Sequence, residues 1–281
     1  MKKIPALIIL LFAAISLMGQ QQTEFPELLK AGDELSQAFE KLYNLPDSPA
    51  RDSLNNRIVQ QFRTVLTSWD SFYYDWKQLK YAGIFRSGDN KVRVYTWFLE
   101  SKNGQYSYYG FIQHLTGRKK KNQQVELFEL HDHHTQIKNP ETAANVDVSH
   151  WYGCIYYGIH AFKKRKKTWY VLFGYDFNSQ YSRKKLLEVL TFDKDDNPVF
   201  GGNFVLPEKT VKRFILEYSA EVVASLRYND RLGMIVFDHT APPEAIFKGS
   251  YRFYAPDGSY DGFRFDNGDF VFEKDVDARN F

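Results

Sequence analysis

Lys91-Val92-Arg93-Val94-Tyr95-Thr96-Trp97 decides the fold. Its side chains alternate with a period of two, the signature of a pleated strand with one face toward a core. Asn103-Gly104 follows as a hairpin turn, because both residue types accept the positive φ of a tight two-residue loop. A return strand is predicted over residues 106–115.

The same texture continues to the end of the chain. A basic turn over 117–122 leads to a strand over 125–130, then a polar loop over 132–149. Strands at 151–162 and 169–175 flank the basic run 163–167. Strands at 187–192 and 199–205 flank Asp195-Asp196-Asn197-Pro198. Residues 211–218 and 221–228 read as a pair, with 234–238 after them. Segments at 251–254, 263–265 and 270–273 close the chain, with Asp257-Gly258 and Asn267-Gly268 as their turns. Roughly a dozen short strands with a turn about every ten residues indicate a mainly β protein, a large antiparallel meander closing as a sandwich or barrel. Strands do not alternate with helices, so a Rossmann or TIM fold is excluded. No fixed period supports a propeller.

Before residue 83 the period is helical. Leu28, Leu35, Phe39 and Leu42 fall on one face, and Leu54, Ile58, Phe62, Val65 and Trp69 form a second stripe. Between them Ser48 is a plausible N-cap and Pro49 suits the first helical position. An N-terminal helical hairpin is expected, its apolar faces together or against the rest of the chain.

Lys2 and Lys3 precede an apolar stretch to Met18, and Gln20, Gln21 and Gln22 follow. This is the layout of a secretory signal peptide, too short for the ~20 residues that span a bilayer. The expected organisation is a signal peptide over 1–20, a helical hairpin cap over 21–82 and an antiparallel β domain over 83–281. Export, with the periplasm favoured over release or outer-membrane association, follows. The 281 residues carry a net charge of +3, and loss of the two leader lysines leaves +1, so general affinity for nucleic acid is not implied. A single cysteine, Cys154, permits no internal disulfide. Aromatics at 17% suit half-buried sheet surfaces.

Candidate sites are sparse. In His131-Asp132-His133-His134, strand spacing would place His131 and His133 on one face, where they could hold zinc or copper; a polar strand end entering a loop is the simpler reading. Arg118, Lys119, Lys120 and Lys121 form one basic hairpin tip, and Lys163, Lys164, Arg165, Lys166 and Lys167 another. An up-and-down order would place both tips at one end, able to hold an anionic glycan, a lipid headgroup or an acidic envelope protein. Solvated tips that discourage edge aggregation are the simpler reading. Asp193-Lys194-Asp195-Asp196-Asn197 opens like a calcium loop, but Pro198 and Phe204 stand where Gly and Glu belong, so a turn is expected. Asp257, Asp261, Asp266 and Asp269 read as turn residues. Trp97, Trp151 and Trp169 read as core rather than a sugar-stacking platform. Ser149-His150 and Asp238-His239 are adjacent pairs without a third member, and Cys154 in an apolar segment reads as an inert thiol. Phe281 would suit an outer-membrane barrel, but Arg279, Asp277 and Asp275 break the required alternation.

The strings 91–97, 169–176, 189–193, 235–239 and 254–262 resemble those of a family of exported β-rich Gram-negative proteins that has no assigned activity. The resemblance implies export and a β-rich body, and carries no catalytic residue across. The functional expectation is a non-enzymatic binding or structural module without a cofactor. A cell-envelope polymer hydrolase, which would need a His–acid pair or two acids in one cleft, and a metal-binding protein are the alternatives.

Overall fold

Pro26 and Ser48 set the starts of the first two helices. In this computed structural model, which describes residues 25–117, 123–144 and 146–278, α1 is Pro26–Asn44 and α2 is Pro49–Val65. Ser48 Oγ accepts from the Arg51 amide at 3.4 Å and Pro49 occupies the first turn, as the sequence indicates. The two stripes meet: Phe39 and Phe62 are fully buried with ring centroids 6.1 Å apart. The second stripe was expected to continue through Trp69. Instead α2 stops at Val65, and Ser68 caps a separate short helix, α3 (Trp69–Tyr73), on which Trp69 is exposed. The described residues up to Tyr81 form one compact unit and those from Ala82 a second. The signal-peptide segment lies outside the described residues. No helix among the described residues is long and apolar enough to cross a membrane.

The second unit is three stacked sheets. β1 (Gly83–Arg86), β2 (Val92–Glu100), β3 (Tyr106–Thr116) and β4 (Gln124–His131) form an antiparallel meander. β5 (Ile155–Lys164), β6 (Lys167–Asp176) and β7 (Ser182–Phe192) begin the second sheet, with β8 (Pro198–Phe200) on the end of β7. β9 (Asn203–Val205) and β10 (Thr210–Val211) belong to the third sheet. β11 (Arg213–Ser219) returns to the second, in the order β5-β6-β7-β11. β12 (Leu226–Asn229), β13 (Met234–Ala241), β14 (Ala255–Asp266) and β15 (Asp269–Glu273) complete the third, ordered β10-β9-β15-β14-β13-β12.

The second sheet is buried on both faces, and its sequence shows why. In Leu186-Leu187-Glu188-Val189-Leu190 the even positions face the first sheet and the odd ones the third. Leu186, Leu190, Leu172 and Tyr170 pack with Val92, Val94, Ile112 and Leu130 in one core. Leu187, Val189, Val171, Phe173 and Phe214 pack with Phe204, Ile235, Phe237, Phe263 and Phe270 in the other. A strand covered on both sides reads as a continuous apolar run rather than an alternation. Each fully buried Leu or Phe contributes about 1.5–3 kcal/mol.

Several strand expectations need correction. Residues 199–205 are not one strand: Gly201 takes φ 123 and the chain steps from β8 in the second sheet to β9 in the third. Residues 211–218 and 221–228 do not pair; β11 runs beside β7 and β12 beside β13. Residues 251–254 hold a single 3-10 turn, Tyr251–Phe253, and Asp257-Gly258 lies inside β14 rather than between strands. β9 pairs with β15 in parallel, an exception to the antiparallel pattern. Gly83–Arg86 was not anticipated as a strand.

Candidate functional site

β5 and β6 are joined by the two-residue turn Arg165-Lys166, with Lys164 opposite Lys167 and Arg165 at φ 54. All five basic residues, Lys163 to Lys167, are exposed, and Lys167 Nζ stands 5.1 Å over the Trp169 ring. The other basic tip, Arg118 to Lys121, lies outside the described residues, and with it the relation between the two tips.

β5 is an edge of the central sheet. Its first half is covered: the Tyr156 amide donates to Thr96 Oγ1 at 3.0 Å, and Gly83 comes so close to the Tyr156 carbonyl that an added Cβ would meet it at 2.6 Å. The second half is open. In a two-residue hairpin the closing pair is hydrogen-bonded and bonded pairs then alternate. Phe162 and His160 therefore bond to β6, while the backbone N–H and C=O of Lys163, Ala161 and Ile159 point away from the sheet. Among the described residues no strand pairs with that side.

A groove opens on each face of this free edge. On the side of the first sheet, about 540 Å³ is lined by Arg86, Asp89, Ile159, Ala161, Lys163 and Thr168. On the side of the third sheet, about 250 Å³ is lined by Tyr157, Phe173, Arg227, Tyr228 and Asp230, and Ile159 and His160 border both. Asp89 is held in place: Oδ1 accepts from Ser87 Oγ at 2.6 Å and Oδ2 from the Tyr170 hydroxyl of β6 at 2.9 Å. The charged lining of the first groove is thus two basic residues, Arg86 and Lys163, and one acidic, Asp89. In the second, the His160 ring stacks on Tyr228 at 3.5 Å, and burial pushes its pKa down, toward the neutral ring. The basic tip was legible in sequence. The groove was not, because two of its walls come from the unanticipated β1 and from β12.

β4 ends at His131, so His133, expected on the same strand face, lies beyond the strand; between them Asp132 forms an isolated bridge with Trp151, and the His133 amide donates to the Trp151 carbonyl at 2.8 Å. The His133 ring instead lies 5.2 Å from that of His150, whose Nδ1 is 2.9 Å from Asp147 Oδ1. Among the described residues no group of three or more His, Cys, Asp or Glu side chains could hold a metal ion.

Asp238-His239 acquires a third member from across the sheet. His239 Nδ1 is 2.8 Å from Asp261 Oδ2, while Asp238 accepts from the Ser225 amide at 2.6 Å. The Asp261 side chain is buried and its Oδ1 accepts from the Asp275 amide at 3.1 Å. Held this way, His239 turns Nδ1 to Asp261 and Nε2 toward Asp257 Oδ2, 3.9 Å away, beside a cavity of about 240 Å³. Ser259 donates to Asp257 through both its hydroxyl and its amide and holds that carboxyl below the usual range. The imidazole thus lies between two carboxylates, one buried and one exposed. The distance of 22 residues between the partners hid it from the sequence.

A buried polar network joins the first two sheets. Asp176 accepts from the hydroxyls of Tyr108 at 2.8 Å and Tyr152 at 2.9 Å. Glu188 accepts from the Tyr156 hydroxyl and from Arg213, whose Nε is 2.9 Å from Oε1 and whose Nη1 donates to the Pro140 carbonyl at 2.6 Å. Trp151 Nε1 donates to the Tyr156 hydroxyl at 2.7 Å. Cys154 is buried beside the network and burial pushes its thiol pKa up, so it is unreactive. Trp97 and Trp151 are fully buried and Trp169 is half-buried against Phe265, so the tryptophans are not an exposed platform. At the network's rim His134 Nδ1 is 2.7 Å from Asp132 Oδ1; burial works against the charged ring, and the carboxylate outweighs it and raises the pKa. These groups satisfy one another, which is the chemistry of a keyed core.

No protein-family model matches the chain, and no curated protein matches it.

Proposed function

We propose that the chain is an exported, non-enzymatic binding module of the periplasm or cell envelope that takes an anionic ligand at the open edge of β5. The single observation that carries this reading is the groove of about 540 Å³ whose charged lining, Arg86, Lys163 and Asp89, is net basic, with the exposed basic turn Lys164 to Lys167 next to Lys163 in the chain. Carboxylate recognition by arginine and lysine is charge-assisted. The leader-like N-terminus supports export.

Titration with trigalacturonate and with hexaglutamate at low salt is expected to give saturable binding of at least one of the two. Reversal of the walls in Arg86→Glu/Lys163→Glu is expected to weaken it at least tenfold, as is ~0.3 M salt. Failure of both anions to bind, or binding indifferent to the double reversal, overturns the reading. Turnover of an envelope polymer that His239→Ala abolishes overturns it in favour of a hydrolase built on the His239–Asp261 pair.

A further inference from the structure

We infer that the occupant of this edge is an extended polypeptide, added as a strand to β5, with acidic side chains on one face and apolar or aromatic ones on the other. The inference rests on the binding reading above and narrows its ligand class.

Strand addition needs a row of unpaired backbone groups, plus pockets for alternate side chains on the two faces of the acceptor. Ile159, Ala161 and Lys163 supply the row, about 13 Å long at the ~3.3 Å rise of a strand. The two grooves lie on opposite faces of that row and share Ile159 and His160. Successive side chains of an added strand point to opposite faces, so they would enter the two grooves in turn. The groove with Arg86 and Lys163 suits a carboxylate. The groove with Tyr157, Phe173 and Tyr228 suits an apolar or aromatic side chain.

Charge selects the partner further. Arg86, Arg227 and the run Lys163 to Lys167 outnumber Asp89 and Asp230 around the edge. A second copy of β5 would bring another lysine-rich tip to the same sheet; an acidic strand would neutralise it. Lysines on an edge also discourage self-pairing. That role alone does not account for two grooves placed where alternate side chains would fall.

The test uses an acetylated, amidated Gly-Glu-Val-Glu-Phe-Glu-Gly peptide and two N-methylated forms. One is methylated at the second and third glutamates, the other at Val and Phe. In a strand, alternate residues aim their N–H to opposite sides, so only one form blocks the bonds to β5. One form is expected to bind within about threefold of the parent and the other at least tenfold more weakly. Ala161→Pro, which removes an outward N–H without breaking a bond to β6, is expected to weaken the parent peptide at least tenfold and leave the circular dichroism spectrum unchanged. Lys163→Glu, which leaves the backbone intact, is expected to do the same and serves if the proline variant does not fold. Equal binding of both methylated forms overturns strand addition and leaves anion binding standing. So does binding of trigalacturonate without any peptide. Failure of every probe overturns both.

Discussion

His114 shows how one residue sets an acid limit. It lies on β3, nearly buried, with its ring stacked 3.5 Å from that of Phe192. Its Nδ1 has no hydrogen-bond partner. Burial lowers its pKa to about 4; Lys91 adds to the effect, while Asp196 and Asp89 oppose it. The unfolded chain takes up the proton near pH 6.5 and the folded chain only near 4. Stability from the neutral ring is therefore complete above about 6.5, drains away as pH falls from 6.5 to 4, and changes no further below. His114→Phe is expected to flatten the fall of the urea midpoint across that window, a difference of about 3 kcal/mol between the slopes' end points. An equally steep fall in the variant would show that other groups set the acid limit. Legibility at this scale followed distance. Ser48, whose partner is three residues away, could be read from sequence; His239, whose partner Asp261 stands on a neighbouring strand, could not.

Strands and helices were legible where their own periodicity decided them. The stripes of α1 and α2 and the alternation of β2 each needed only local information. Val199-Phe200 and Phe204-Val205 each read as strand, so the segment reads from sequence as one; what divides it into β8 and β9 is Gly201-Gly202. Gly202 passes so close to β7 that a Cβ would lie 2.3 Å from Val189 Cγ2. Val189 is fully buried in the core and has nowhere to retreat. Gly202→Ala is expected to cost about 1–3 kcal/mol, seen as a lower urea midpoint. Gly88→Ala, where nothing lies within 4 Å of the added carbon, is the control and is expected to leave the midpoint nearly unchanged. Equal effects of the two would show that chain flexibility, rather than close approach to β7, is what the glycine supplies.

For the whole β unit, alternation announced sheets but not how many. Partition into three sheets depends on pairings such as β11 with β7 and β9 with β15, which join residues far apart in the chain. The layered result ties the two cores together, because the strands of the second sheet form a wall of each. Ile112 belongs to the first core only. Ile112→Ala is expected to cost about 2–5 kcal/mol. Hydrogen exchange should show the loss as fully in the amides of β13 and β14, beyond the second core, as in β2 and β3. Loss confined to β2 and β3 would mean that the cores open separately.

Glu188 gives that shared wall an address. It is the one carboxylate in a run of leucines and valine, and it meets Arg213 directly across the β7–β11 ladder. Slide β7 along its neighbours by a single position and every side chain changes face. The carboxylate would then be thrust among phenylalanines, and the guanidinium would be stranded opposite a leucine or a valine. Nearly identical apolar teeth cannot tell one engagement from the next; a charged tooth set among them, mated to a buried charged slot, admits a single one.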